Sequence, residues 1–161
     1  MLRIITLIVS FQFIYLTSVC AQAENSNHCS FILNQAETCQ FSIVGIDYQI
    51  FTDGLLKWKS LDMKDSEVRL VLPEGFYIES AEFELYQNGI FFNFGITDDD
   101  AGGAIIAKFD PISAKFVWST EVNAFNTSPL LISNDSIYVA GIGTEIRSII
   151  VEDSTGTILS K

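Results

Sequence analysis

The sequence predicts an all-β protein made of about three antiparallel, four-stranded units. After Gln40, no window places apolar residues at the helical spacing of three and four positions. Short apolar runs rich in Val, Ile, Phe and Tyr occur instead, and turn residues separate them every few positions. The same order of strands and turns then recurs along the chain.

The amino-terminal segment 1–23 has the composition of a secretory signal. Arg3 precedes an apolar run over residues 4–19, and small residues flank a larger one at positions 21–23, as signal peptidase requires. The alternative is a retained membrane helix, but no basic cluster follows the run. We therefore expect segment 1–23 to be removed after Ala23. The mature chain is then exported to the periplasm or the extracellular space and keeps no membrane span.

The mature chain is one acidic domain. It runs from Glu24 to Lys161, which is about the size of an ordinary domain. Arg3 is the one charged residue of the signal, so the net charge changes from −11 to −12 on cleavage. Such a charge argues against nucleic acid as a partner, because phosphate backbones attract basic surfaces.

Two cysteines remain in the mature chain, Cys29 and Cys39, and both lie in an amino-terminal segment spanning residues 24–40. An even number of cysteines in an exported chain predicts one disulfide. A metal site is the weaker interpretation, because His28 is the single histidine and two thiolates with one imidazole do not complete a tetrahedral zinc site.

Two tight hairpins are predicted by their turn residues. Asn88-Gly89 is a strong two-residue hairpin signal, because both central positions of that turn need a positive φ. Asn134-Asp135 lies between two further apolar runs in the same way. Each hairpin is followed by another strand, a turn and a last strand.

The two units that contain these hairpins can be superimposed with a constant offset along the chain. Positions 110–114 then correspond to positions 152–156, and Trp118 corresponds to Ser160. Four-stranded units repeated every ~40–45 residues are typical of β-propeller blades. The repeat domain is expected to span residues 41–161.

A third, earlier copy is expected to end at Trp58, after a turn at Asp53-Gly54. The spacing from Trp58 to Trp118 is longer than the spacing from Trp118 to Ser160, so this copy requires an insertion. Three units are fewer than the four to eight that close a propeller. Two chains pairing as a homodimer, an open stack with the cysteine-containing segment over one edge, and a shortened propeller all remain possible.

The turn of the second unit resembles that of the pyrroloquinoline-quinone-type β-propeller repeat, which reads Asp-x-x-Thr-Gly-Lys with a tryptophan three positions on. The resemblance extends from about Gly45 to the end of the chain. The positions that carry it are Asp110, Ser113, Lys115 and Trp118 in the second unit, Thr155 and Gly156 in the third, and Gly54, Lys57 and Trp58 in the first. Ala114 stands where the family usually has glycine, Glu152 replaces the aspartate, and Ser160 replaces the tryptophan. In a blade, Trp118 would lie on the last strand and wedge against the neighbouring blade.

Most members of this repeat family bind no quinone. The quinone-dependent members have a vicinal disulfide and a calcium held by Glu, Asn and Asp, and nothing in this sequence corresponds to them. Asp98-Asp99-Asp100 is the weak candidate for a cation site, but consecutive acids point in different directions and favour a solvated loop. No serine lies in a nucleophile elbow, so no catalytic residue and no cofactor is predicted.

The resemblance therefore implies an exported, non-catalytic binding or scaffold module with a protein partner. The alternatives are a fragment of a quinone-dependent or other periplasmic enzyme, and a truncated propeller without independent function. A β-sandwich, in which the repeat is a coincidence of hairpin chemistry, would lack the structural period that relates the second and third units.

Overall fold

The computed structural model describes residues 28–31, 37–59, 64–87, 89–98, 100–122, 124, 129–133, 135–142 and 146–160. The predicted signal at positions 1–23 lies outside this range. Within it, the predicted all-β fold is confirmed: the strands form three antiparallel sheets of four or five strands, and the stack of sheets is open. Among the described residues, no helix is long and apolar enough to cross a membrane.

The thirteen strands of the described chain follow one another in three groups. The first sheet has the order β2-β3-β4-β5, the middle sheet β1-β6-β7-β8-β9, and the third sheet β10-β11-β12-β13. Their bounds are β1 His28–Ser30, β2 Thr38–Ile43, β3 Ile46–Phe51, β4 Leu55–Lys59, β5 Asp65–Arg69, β6 Tyr77–Tyr86, β7 Gly89–Thr97, β8 Gly102–Asp110, β9 Lys115–Val122, β10 Leu131–Ser133, β11 Ser136–Ile142, β12 Ile146–Glu152 and β13 Ile158–Ser160.

The middle sheet is covered on both faces. Phe91 and Phe92 are adjacent on β7 and therefore point to opposite sides, yet both are fully buried. Phe92 belongs to the core shared with the first sheet, and Phe91 to the core shared with the third sheet. The unbroken apolar sequence of β7 is what a strand buried on both faces requires.

Among the residues that the structure describes, the first core is the larger of the two, and it is rich in aromatic side chains. Phe41 of β2 stacks on Phe83 of β6 with ring centroids 4.2 Å apart. Trp58 of β4 meets Phe109 of β8 edge to face at 5.2 Å. Alternation along β4 buries Leu56 and Trp58 and leaves Lys57 and Lys59 on the outer face.

The predicted disulfide is confirmed, and it ties two sheets together. Cys29 lies on β1, which pairs with β6 at the edge of the middle sheet, and Cys39 lies on β2 at the edge of the first sheet. The amino-terminal segment therefore supplies strands to both sheets. Strand β2 also continues across residue 40, where the repeat domain was expected to begin.

The turn between β6 and β7 differs from the prediction. Tyr86 pairs with Gly89, so Gly89 already belongs to β7 and is not a central residue of the turn. Gln87 takes the positive φ, at 52°. Asn88 lies outside the described residues. In the second hairpin Ser133 pairs with Ser136, and Asp135 has a φ of 60°, while Asn134 is not described.

The expectation that the first unit ends at Trp58 is wrong. The turn at Asp53-Gly54 joins the second and third strands of its sheet, and Trp58 lies on that third strand. The sheet continues with β5, whose Ser66 pairs with Trp58. The turn at positions 110–114, by contrast, joins the third and fourth strands of its unit, β8 and β9.

Candidate binding surfaces

The turn that carries the sequence motif is closed by its own side chains. Asp110 accepts hydrogen bonds from the backbone N–H of Ile112 at 2.9 Å and from the Ser113 hydroxyl at 2.5 Å. The Ser113 hydrogen bond is the main reason that the pKa of Asp110 is lowered, and the backbone amides and the charge of Lys115 act in the same direction. Ala114 closes the turn with a φ of 56°.

The turn of the third unit has the same construction at the positions that the sequence repeat assigns to it. Thr155 donates a hydrogen bond from its hydroxyl to Glu152 at 2.5 Å, as Ser113 does to Asp110. Gly156 takes the left-handed conformation, with a φ of 71°, at the position that corresponds to Ala114. The offset predicted from the sequence is therefore also present in the backbone and in the carboxylate–hydroxyl bond.

Trp118 of β9 contacts the turn of the third unit. Its indole N–H donates to the carbonyl oxygen of Asp153 at 2.6 Å, and its ring lies so close to Gly156 that a Cβ there would be 2.6 Å from Cε3. The neighbouring Thr120 donates its hydroxyl to the Gly156 carbonyl. Trp118 thus packs on the turn of the following sheet, whereas Trp58 packs on Phe109.

An ion pair strengthens the same contact. Lys108 Nζ lies 2.5 Å from Asp153 Oδ1, and the two side chains are largely buried. The ammonium group also lies 5.1 Å from the centre of the Phe91 ring. These contacts are structural, because they use both charges to hold the third sheet on the middle one.

The acidic loop after β7 uses its first carboxylate internally. Asp98 Oδ1 accepts hydrogen bonds from the backbone N–H groups of Asp100 and Ala101, at 3.1 and 2.6 Å. Asp99 lies outside the described residues. Nowhere in the described chain do three His, Cys, Asp or Glu side chains come together as a metal site would require. His28 instead lies beside Glu82 of β6, with Nδ1 3.2 Å from Oε1.

The outer face of the third sheet exposes apolar side chains. Leu131, Tyr138 and Ile150 lie opposite one another on β10, β11 and β12, and their neighbours Ile137 and Val151 point inward and are buried. Leu131 is 65% exposed, Tyr138 is 39% exposed, and Ile150 is half-buried. Leu159 on the edge strand β13 is a further exposed apolar residue. We call Leu131, Tyr138, Ile150 and Leu159 the third-sheet face.

The outer face of the first sheet is charged. Lys57 on β4 lies 3.7 Å from Glu67 on β5, and Arg69 donates to Asp53 at 2.7 Å. This bond from Arg69 is the main cause of the lowered pKa of Asp53. We call Lys57, Lys59, Asp65, Glu67 and Arg69 the first-sheet face.

Neither the scan against protein-family models nor the search of curated proteins finds a match for this chain.

The residues of the third-sheet face were not among those predicted from the sequence to have a functional role. In the structure Ile137 and Val139 of β11 are buried and Tyr138 between them is exposed, but the sequence Ile137-Tyr138-Val139 has no polar residue that would indicate the outer face.

Proposed function

We propose that this chain is an exported, non-catalytic binding or scaffold module built from propeller-type repeats, and that it binds a protein through the third-sheet face. The observation that carries the proposal is the apolar row of Leu131, Tyr138 and Ile150 on an outer face. In the middle sheet the corresponding face is covered by another sheet, so the same kind of surface already functions as a packing interface within the chain.

Three features support the wider proposal. The disulfide between Cys29 and Cys39 is compatible with an oxidising compartment outside the cytoplasm. The repeated turn geometry at positions 110–114 and 152–156 fits blade-type units. Lys108 of the middle sheet and Asp153 of the third sheet pair with each other beside Trp118, so these two charges have a structural role and support a non-catalytic module.

The proposal can be tested by placing a photo-crosslinking amino acid at Tyr138 in the native host. The matched control carries the same amino acid at Lys57, an exposed position on the first-sheet face. We expect covalent protein adducts from position 138 and few from position 57. Equal labelling from both positions, or none from either, would contradict the proposed binding surface.

Export is tested on the same material. The chain secreted by the host should begin at Glu24, and its intact mass should be two hydrogens below that of the form with two free thiols. A cytoplasmic chain with an uncleaved amino terminus would contradict export.

A further inference from the structure

We infer that the partner bound by the third-sheet face is a second copy of this chain, seated face to face on the same surface. The inference rests on the proposed binding function and adds the identity of the partner.

In the repeat, the third-sheet face corresponds to the face of the middle sheet that carries Phe91, and the third sheet covers that face. Phe109 pairs with Ile90 in the middle sheet, and Val151, its equivalent in the repeat, pairs with Ile137 in the third sheet. The next residue along β7 is Phe91, and the next along β11 is Tyr138. Phe91 is fully buried beneath the third sheet, whereas Tyr138 is 39% exposed. A sheet seated on Tyr138 would therefore continue the stacking already present.

Because the third-sheet face carries little charge, the same face of a second copy is a suitable partner for it. The mature chain has a net charge of −12, so two copies repel each other except where their contact surfaces carry little charge. The row of Leu131, Tyr138 and Ile150 is uncharged. Glu152 at its border is already hydrogen-bonded to Thr155 of its own turn. The uncharged rows of two copies can therefore meet when Glu152 stays at the hydrated border of the contact.

The first-sheet face is a poor alternative partner. If the third sheet of one copy packed on the first sheet of another, Leu131 and Tyr138 would cover the pair of Lys57 and Glu67. Removing such a pair from water costs more than its own attraction returns unless further hydrogen bonds replace the lost hydration. The two-fold, same-face arrangement avoids this cost and closes after two copies.

The size of the face limits how strong the dimer can be. Four strands about 4.8 Å apart, with inner strands of seven residues rising about 3.4 Å each, give a face of roughly 400 Å². Standard stable interfaces bury about 800 Å² per partner, so this contact falls at the weak end. We therefore expect a dimer that dissociates in the micromolar range, from about 1 to 100 µM.

Sedimentation velocity tests the inference directly. The secreted protein should shift from monomer to dimer as its concentration rises from about 1 to 300 µM, the range that brackets the expected dissociation constant. Tyr138→Glu should raise the dissociation constant at least tenfold. Ile112→Glu is the matched control, because it adds the same charge at an apolar residue that is 85% exposed in a turn.

Several outcomes would overturn the inference. A wild-type chain that stays monomeric at the top of this concentration range would do so, as would an unchanged dimer in Tyr138→Glu or an equal loss in Ile112→Glu. Near-ultraviolet circular dichroism checks that each variant is folded. If the purified chain is monomeric but position 138 crosslinks to a different protein in cells, the second copy is excluded while the proposed binding function stands. If position 138 crosslinks to nothing, the proposed function itself fails.

Discussion

The two interfaces within the stack are built differently. The interface between the first and middle sheets combines a disulfide with a cluster of rings, in which Phe41 contacts Phe83 and Trp58 contacts Phe109. The interface between the middle and third sheets has a smaller apolar core, counted over the side chains that the structure describes. It relies on polar contacts from Lys108 and Trp118 to a single turn.

This difference predicts unequal stability along the chain. The third sheet has edge strands of only three residues each, β10 and β13, and its inner face meets the smaller core. Local opening needs less free energy where fewer apolar contacts are lost. We therefore expect the third sheet to open more readily than the first and middle sheets, which should unfold together.

The largest effect is expected from truncating the two adjacent phenylalanines of β7. Phe92→Ala removes a fully buried ring from the first core and should lower the free energy of unfolding by about 3–5 kcal/mol. Phe91→Ala removes the same ring from the second core. This variant should raise the hydrogen-exchange rates mainly of the backbone amides in β11 and β12. Urea denaturation of both variants measures the free energy of unfolding.

The matched pair makes this comparison sharp, because the two changes share strand, residue type and burial. If Phe91→Ala and Phe92→Ala raised hydrogen exchange over the same residues, the two interfaces would form one cooperative unit. The predicted difference between them would then be wrong.

Removing the disulfide should lower the global stability of the fold and, in addition, loosen the two edge strands that it joins. The double variant Cys29→Ala, Cys39→Ala opens a loop with a sequence separation of 10 residues. We expect a loss of about 2–3 kcal/mol, since the crosslink restricts the unfolded chain. Exchange should rise in β1 and β2, while β11 and β12 remain as protected, relative to global unfolding, as in the wild type. A selective loss of protection in the third sheet would contradict this assignment.

Gly156→Ala should weaken the second interface. The added Cβ would lie 2.6 Å from Trp118 Cε3, in a backbone conformation with a φ of 71°. Gly45→Ala is the control, because its φ of 75° is similar and nothing lies within 4 Å of its Cβ position. The left-handed backbone alone costs about 1 kcal/mol, so Gly156→Ala should cost about 2 kcal/mol or more. If Gly156→Ala and Gly45→Ala lowered the melting temperature equally, the Trp118 ring would be able to move away from the added Cβ at no cost in stability.

The smallest effect is expected from the turn that carries the motif. Ser113→Ala removes the hydrogen bond that lowers the pKa of Asp110. A lowered folded-state pKa stabilises the fold above the unfolded pKa, and this contribution disappears as the pH falls through the folded value. The variant should therefore lose a few tenths of a kcal/mol at pH 7, since solvent screens the exposed turn, and less at pH 2.

The control for this experiment is Ser154→Ala, at an exposed serine of the neighbouring turn. It should behave like the wild type in urea denaturation at both pH values. A deficit in Ser113→Ala that is as large at pH 2 as at pH 7 would show that Asp110 ionisation is not involved.

The fold class could be predicted because the strand and turn signals are local. The same local signals did not predict the strand register, because packing between the sheets determines it. The pair Asn88-Gly89 predicts a turn two positions long, but the register of β6 and β7 starts with Tyr86 and Gly89 instead. That register places Phe83 opposite Phe92, and it sets a small Ala81 beside the large Phe94.

The place of Trp58 could not be predicted either, because a lone turn followed by tryptophan does not show whether another strand pairs beyond it. The third-sheet face was missed for a related reason. Positions 149–151 are all apolar, so the sequence of β12 does not indicate which side of the sheet faces the core. Only the stacking of the middle sheet on one side leaves Tyr138 on the other.

The charged first-sheet face limits how far such a molecule can polymerise. Stacked sheets grow into filaments when both ends accept another copy. Here Lys57, Lys59 and Arg69, with their acidic partners, keep one end hydrated. Charges placed in this way are a common means by which β-proteins prevent open-ended association. In the proposed dimer both apolar ends would be covered and both charged ends would face outward, so the assembly would stop at two chains.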